Sequence, residues 1–218
     1  MCAILLTFAV VYIASLTLLQ VFVDADGSNS FYKEFEMNAA NVAPNAATWV
    51  LCLNAPYDDG GYENSTRVLG SKGFDMQPPL LAASWSDGEL NNPSRPSTRW
   101  TVEIRFPLAK LAINTSAALP PNDGDIWRIN FSRVEWRVLV IGGRYIKSPS
   151  CSTCPAPGSS AEDNWVWSPQ GAIAMHRPER WGMLHFSSSL SPLPSPPPRN
   201  IEWTVRSLAM IVYYAQVV

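Results

Sequence analysis

Trp100-Thr-Val-Glu-Ile-Arg-Phe-Pro107 alternates without a break: Trp100, Val102, Ile104 and Phe106 share one face, and Thr101, Glu103 and Arg105 the other. A period of two marks a strand with one side against a core and the other toward water. The period returns in Trp127-Arg-Ile-Asn-Phe-Ser132, which sends Trp127, Ile129 and Phe131 inward and leaves Arg128, Asn130 and Ser132 as a polar face, a candidate ligand surface. Val138-Leu-Val-Ile141 and Arg144-Tyr-Ile-Lys147 flank Gly142-Gly143. Both positions of a tight two-residue turn need positive φ, so this pattern predicts a hairpin. Further strands are expected at 19–24, 31–38, 48–53 and 182–186, giving about seven or eight segments set apart by turn signals. The fold class that follows is all-β, an antiparallel sandwich.

The 218 residues suffice for one sandwich-sized domain with its own core. Nineteen prolines and twelve glycines keep the apolar runs short, which favours strands and loops over long helices. A formal charge of −2 and a charged fraction of 16% provide no basic field for phosphates, so nucleic acid is not an expected partner. Residues 107–112 read as a single helical turn, 187–200 as a Ser/Pro-rich extended linker, and 201–218 as a terminal helix. Trp203, Leu208, Ile211, Val212 and Ala215 lie along one broad apolar side of that helix, while Glu202 and Arg206 argue against its insertion in a membrane. No internal repeat is found.

Residues 1–23 carry no charge, and three readings stay open for the apolar segment 1–18: a secretory signal, a bilayer span, or a strand of atypical sequence. The first makes the chain secreted or extracellular and the second makes it membrane-anchored, the one route to membrane contact read from the sequence. Three sequons, at Asn64, Asn114 and Asn130, would accept glycans along the secretory route. Cys151-Ser-Thr-Cys154 is a lone CxxC with no second pair and no histidines at zinc-ligand spacing, so a local disulfide or two idle thiols is expected, with no redox role.

The densest run is Glu162-Asp-Asn-Trp-Val-Trp-Ser-Pro-Gln-Gly171 followed by Met175-His-Arg-Pro-Glu-Arg-Trp-Gly-Met-Leu-His-Phe186, rich in indoles and polar groups yet without an obvious nucleophile. Such a set suits holding a polar ligand better than transforming one. Sugar recognition needs flat side chains against C–H faces and fixed donors and acceptors for hydroxyls. Asn130, Arg133, His176 and Arg177 are candidates for the polar part, and Trp165 and Trp167 for the stacking surface. Against this, a strand tryptophan is more often core, Arg133 with Glu135 reads equally as an ion pair between neighbouring strands, and Arg177 and Arg180 read equally as loop-pinning partners of Glu179 or Glu162. Trp181 is expected in the core. Asp24-Ala-Asp-Gly27 sets two carboxylates in one turn, so Asp24 and Asp26 are metal candidates for calcium, although an Asx-type turn is the favoured reading.

The motifs Val21-Phe-Val-Asp-Ala-Asp-Gly27, Tyr32-Lys-Glu-Phe-Glu-Met-Asn38, Pro56-Tyr-Asp-Asp-Gly-Gly61, and the stretches 100–107, 127–135 and 163–186, taken in order, resemble a carbohydrate-binding module family nine domain. More narrowly they are similar to its branch of the DOMON-like superfamily, over 19–186. The resemblance implies a jelly-roll-like β-sandwich with a short C-terminal helix. It also implies binding of a polysaccharide or oligosaccharide, often beside a secreted glycoside hydrolase, with calcium in some relatives. On the same resemblance Asn130 and Glu36 stand on walls of the sugar site. The relatives carry strands ahead of the Val21 motif where this chain has its uncharged opening run, so those N-terminal strands are expected to be missing, as in a truncated gene model, or built from atypical sequence. The relatives' two clamping tryptophans fall near Ala14 and on Met175. The expected function is a non-catalytic carbohydrate-binding module. The alternatives are a degenerate sandwich with a structural or protein-binding role, a haem-binding DOMON-like domain using Met175 and His176, or catalysis by carboxylates drawn from Glu103, Glu135 and Asp163.

Overall fold

A computed structural model describes residues 3–11, 18–29, 31–40, 49–51, 81–112, 115–148, 162–171, 175–189 and 201–216. Two antiparallel sheets face each other. The first is three-stranded: β6 (Arg99–Pro107) lies between β1 (Ala3–Val11) and β5 (Leu81–Ser86), with Val11 opposite Arg99 and Ser86 opposite Trp100. The second is six-stranded. Its order is β10 (Glu162–Val166), β7 (Ile126–Trp136), β2 (Leu18–Asp24), β3 (Lys33–Asn38), β4 (Trp49–Leu51), with β11 (Gly182–His185) on the first half of β7. The expected all-β sandwich is the observed architecture, with one C-terminal helix.

The alternation read in β6 and β7 sets the layer between the sheets. Trp100, Val102, Ile104 and Phe106 meet Leu19, Val21, Val23, Phe35, Met37, Trp127 and Ile129, all buried. Each buried tryptophan removes about 150–250 Å² from water, worth roughly 4–6 kcal/mol at about 25 cal/mol per Å² as an upper figure. A second cluster covers the opposite face of the six-stranded sheet: Phe22, Tyr32, Val134, Met175 and Trp181. Trp181 is core, as expected.

The hairpin forms as read: β8 (Val138–Ile141) and β9 (Arg144–Lys147) join through Gly142 and Gly143 at φ 58° and 73°. The helical turn is α1 (Leu108–Leu111). Strand bounds shift where the backbone forbids extension. The strand expected over 31–38 starts at Lys33, because Asn29 and Phe31 hold φ of 63° and 52° in the left-handed region. Of 48–53 the three residues of β4 are described. Leading residues of the opening segment form β1, one of the three readings open for it. β5 escapes sequence reading because Leu-Ala-Ala-Ser-Trp-Ser is rich in small residues; Ser84 donates to the Ala39 carbonyl at 2.8 Å, and Trp85 points outward. The cysteines at 151 and 154, the sequons at 64 and 114 and most of the 187–200 linker lie outside the described residues. The sequon at Asn130 is wholly buried, so the folded chain offers no acceptor there.

The terminal helix is α2 (Ile201–Gln216), and its apolar side is divided. Trp203 lies on Gly27, whose φ is +62°; a Cβ there would stand 2.5 Å from the indole. Arg206 donates to the Gly27 carbonyl, the Arg128 guanidinium sits 3.5 Å from the Trp203 ring centroid, and the Tyr214 hydroxyl donates to Glu179 at 3.0 Å. Leu208, Ile211 and Val212 face solvent instead. Among the described residues no helix is long and apolar enough to cross a membrane. Gly27→Val combines a strained φ with a side chain driven into Trp203 and should cost about 1–3 kcal/mol. Thermal unfolding and amide exchange measure it: exchange across 201–216 should accelerate, and unchanged protection there would show that the Gly27 contact does not hold the helix.

Candidate functional site

Gln20 of β2 joins Glu34 and Glu36 of β3 and Asn130 and Ser132 of β7 in a polar row, with Phe22 among them, on the face of the six-stranded sheet turned away from the first sheet. Register sets Gln20 between Ser132 and Glu36, and Phe22 between Asn130 and Glu34. Gln20 donates through Nε2 to Glu34 at 3.2 Å and to Glu36 at 2.7 Å. The Ser132 hydroxyl donates to the Met175 sulfur at 2.7 Å, and Tyr32 shares a 2.6 Å hydrogen bond with His176 Nδ1. The Trp181 indole donates to the Met175 carbonyl at 2.9 Å, which folds residues 175–181 down over the row. Phe22 meets the His176 ring edge-on at 5.5 Å between centroids.

Several residues expected to contact a ligand therefore lie beneath this cover. Asn130 is wholly buried and uses its amide on Ser168: Nδ2 donates to the Ser168 carbonyl at 3.2 Å, and Oδ1 accepts from the Ser168 N–H at 2.9 Å. His176 and Met175 are buried, and the position of one expected clamping indole is thus a thioether already engaged by Ser132. Glu36 is half-buried against Gln20. Arg177 stacks 4.4 Å from the Tyr214 ring centroid, so it ties the cover to α2, and Ser168 donates to the Arg180 carbonyl at 2.9 Å.

The other face of the same strands is open at its far end. Past Ile129 the inward parity of β7 continues through Phe131, which still packs on the core, to the part-buried Arg133 and Glu135. Arg133 and Glu135 form a part-buried ion pair within one strand, not between neighbouring strands. Register sets Trp165 opposite Arg133, whose guanidinium stands 5.9 Å from that ring centroid, and Asp163 opposite Glu135. Trp167 continues the pairing, its N–H donating to the Phe131 carbonyl at 2.9 Å; its ring lies 5.6 Å from Phe131 and covers the Cα of Gly182. The two indoles are 66% and 56% exposed, so here the usual fate of a strand tryptophan does not apply. Asn130 links the two faces, because the residue it grips, Ser168, follows Trp167 directly. Sequence reading placed Arg133, Trp165 and Trp167 together without seeing Phe131 and Gly182 as their floor; a glycine before Met183 in a strand was the available signal.

Asp26 makes the expected Asx-type turn, and Asp24 closes the wider loop around it. Asp26 accepts the Ser28 N–H at 3.1 Å and the Ser116 N–H at 2.8 Å, while Asp24 accepts the Asn29 N–H at 2.9 Å. Among the described residues no group of three or more His, Cys, Asp or Glu gathers as a metal centre would need. Burial, with the charge of Asp26 beside it, pushes the Asp24 carboxyl up to about 7. Burial also acts on Asp26, but the Ser116 and Ser28 donors outweigh it and hold that group below the usual carboxylate range. Burial draws the Lys33 ammonium down to about 8 against the pull of both aspartates.

These shifts fix a pH dependence. The native state holds an extra proton on Asp24 between about 4 and about 7, so stability from this group is full at the acid end and falls as pH rises through that window. Asp26 acts in the opposite sense below that window. Asp24→Asn keeps an acceptor for Asn29 and removes the titration, so its unfolding temperature should gain on the parent's as pH rises from about 4 to about 7, then run parallel. A constant difference across the window would mean that Asp24 ionises as in a free chain.

Set against protein-family models, curated proteins and solved structures, the chain matches none.

Proposed function

We propose that this chain is a non-catalytic carbohydrate-binding module for a polysaccharide or oligosaccharide, acting outside the cell as an accessory to a glycoside hydrolase. The observation that carries the reading is the pair of exposed indoles, Trp165 and Trp167, on one face of β10 and its continuation, beside the Arg133–Glu135 pair. Side chains two apart on a strand lie about 7 Å from each other, a spacing that lets a stacked chain of sugar rings use both. Indoles offer flat apolar faces to ring C–H groups, and a carboxylate with a guanidinium offers the fixed acceptors and donors that hydroxyls require. Exposing two tryptophans rimmed by charge is otherwise costly in water. In this reading Asn130 is a positioning residue that fixes the Trp167 segment through Ser168, while His176, Arg177 and Glu36 hold the cover and the polar row.

Retention on insoluble cellulose, xylan and chitin, together with a glycan array, tests this. Trp165→Ala and Trp167→Ala should each weaken binding about tenfold or more at unchanged fold. Asn130→Ala should weaken it less, with faster amide exchange at Ser168. Arg177→Ala should leave affinity unchanged. Well-folded protein that binds no glycan would transfer the platform to a structural or protein-binding role, and release of reducing sugar would make the chain a glycosidase.

A further inference from the structure

Among the described residues β8 and β9 hydrogen-bond only to each other. The hairpin is closed at its base by the Ser148 N–H donating to the Arg137 carbonyl at 2.8 Å. A strand that rests on a core shows one apolar face, whereas here both faces are apolar. Register pairs Leu139 with Ile146 and Val140 with Tyr145, so Leu139, Ile141 and Ile146 share one side and Val138, Val140 and Tyr145 the other. Leu139, Val140, Ile141 and Ile146 are 46%, 57%, 55% and 45% exposed. A protein groove covers one side of such a hairpin, while a bilayer surrounds both.

The charges decide which surface fits. From residue 137 to 148 the formal charges are Arg137, Arg144 and Lys147, all exposed, with no acidic residue among them. Arg137 and Lys147 flank the base, where Lys147 sits 3.7 Å from the Trp136 ring centroid, and Tyr145 adds a second amphipathic ring. Arg144 stands beside the turn, and its long stem can return the guanidinium to headgroup level. The tip itself is Gly142-Gly143, where an added Cβ would meet nothing within 4 Å. We propose that the β8–β9 hairpin is a shallow membrane-surface anchor for anionic bilayers. Four extended residues reach about 13 Å, enough for the apolar end to enter the ~5–10 Å interfacial layer while the base cations stay with the headgroups. This contact does not depend on the sugar-binding reading.

Co-flotation of the full chain with lipid vesicles is the test. The chain should float with phosphatidylcholine vesicles carrying about one third phosphatidylserine, far less with phosphatidylcholine alone, and less at high salt. Arg144→Gln should lower vesicle affinity on the order of fivefold. Joint Val140→Asp and Ile141→Asp should abolish flotation with an unchanged circular dichroism spectrum, since both side chains already face water. Leu208→Asp, on the exposed stripe of α2, should change nothing. Failure to float at any composition overturns the proposal, as does flotation that survives the double substitution or is lost with Leu208→Asp. So does a concentration-dependent dimer that the double substitution dissolves, because the hairpin would then be covered by a second copy.

Discussion

β2 and β7 run through the middle of a sheet whose two faces are both covered, by the three-stranded sheet on one side and by residues 175–181 on the other. Each polar side chain on these strands must find its partner inside the protein, because an unpaired buried donor or acceptor costs about 1–3 kcal/mol. Gln20 answers with two carboxylates, Ser132 with the Met175 sulfur, and Asn130 with the backbone of Ser168. The first bonds β2 to β3, the second ties the cover to the sheet, and the third holds the Trp167 segment. The cover in turn carries Glu179, which receives the Tyr214 hydroxyl, so the helix α2 is held through the same chain of contacts. The platform of Trp165 and Trp167 inherits its rigidity from below, through Asn130.

The period of two in β6 and β7 made the sandwich legible, since the inward residues of those strands are the core residues observed. Gly142-Gly143 made the hairpin legible because positive φ is a local matter. The fate of the polar face of β7 was not legible: Arg128, Asn130 and Ser132 read as a solvent-facing surface, yet a distant segment with Met175, His176 and Trp181 buries them. Alternation says which side a residue takes, but not whether a later part of the chain covers that side. The same gap explains Trp165 and Trp167. The stretch from Glu162 was not read as a strand, and core was the favoured fate for its tryptophans, yet both indoles stand in the open. β5 was hidden because alanine and serine carry too little contrast for a pattern of two, and Lys33 was misjudged as mid-strand because nothing in the residue types of Asn29 and Phe31 demanded left-handed backbone from both.

Buried charge at the other end of β2 follows a related logic. Asp24, Lys33 and Arg128 are all drawn away from water, and each is moved toward its neutral form by that burial. Their mutual attraction and the donors around Asp26 oppose the cost without removing it. The turn therefore serves the packing of α2: Gly27 accepts from Arg206, and Arg128 spreads its charge over the Trp203 face. A cation held between the two aspartates would compete with Lys33 for the same carboxylates. That competition, with no third carboxylate, histidine or cysteine gathered beside them among the described residues, favours the turn as an architectural device.

Among the described residues, three groups of apolar side chains stand in water beside the single outward Trp85, and their chemistry separates them. The indole pair stands beside a guanidinium and a carboxylate, a combination that rewards a ligand with both C–H faces and hydroxyls. The hairpin carries branched aliphatic side chains on both faces and cations alone, which rewards a medium that is apolar in depth and anionic at its rim. The stripe of Val205, Leu208 and Val212 on α2 is aliphatic on one face only, with Trp203 packed on the body opposite, so it resembles neither. Because hydrophobic area is non-directional, exposure by itself would have grouped the three together. What distinguishes them is the polar company each one keeps, set by register at the platform and at the hairpin. A shift of one residue along β10 or β9 would turn Trp165 or Ile146 to the opposite face and dissolve that company, and the two hydrogen bonds exchanged between Asn130 and Ser168 and the Gly-Gly turn are the elements that forbid such a shift.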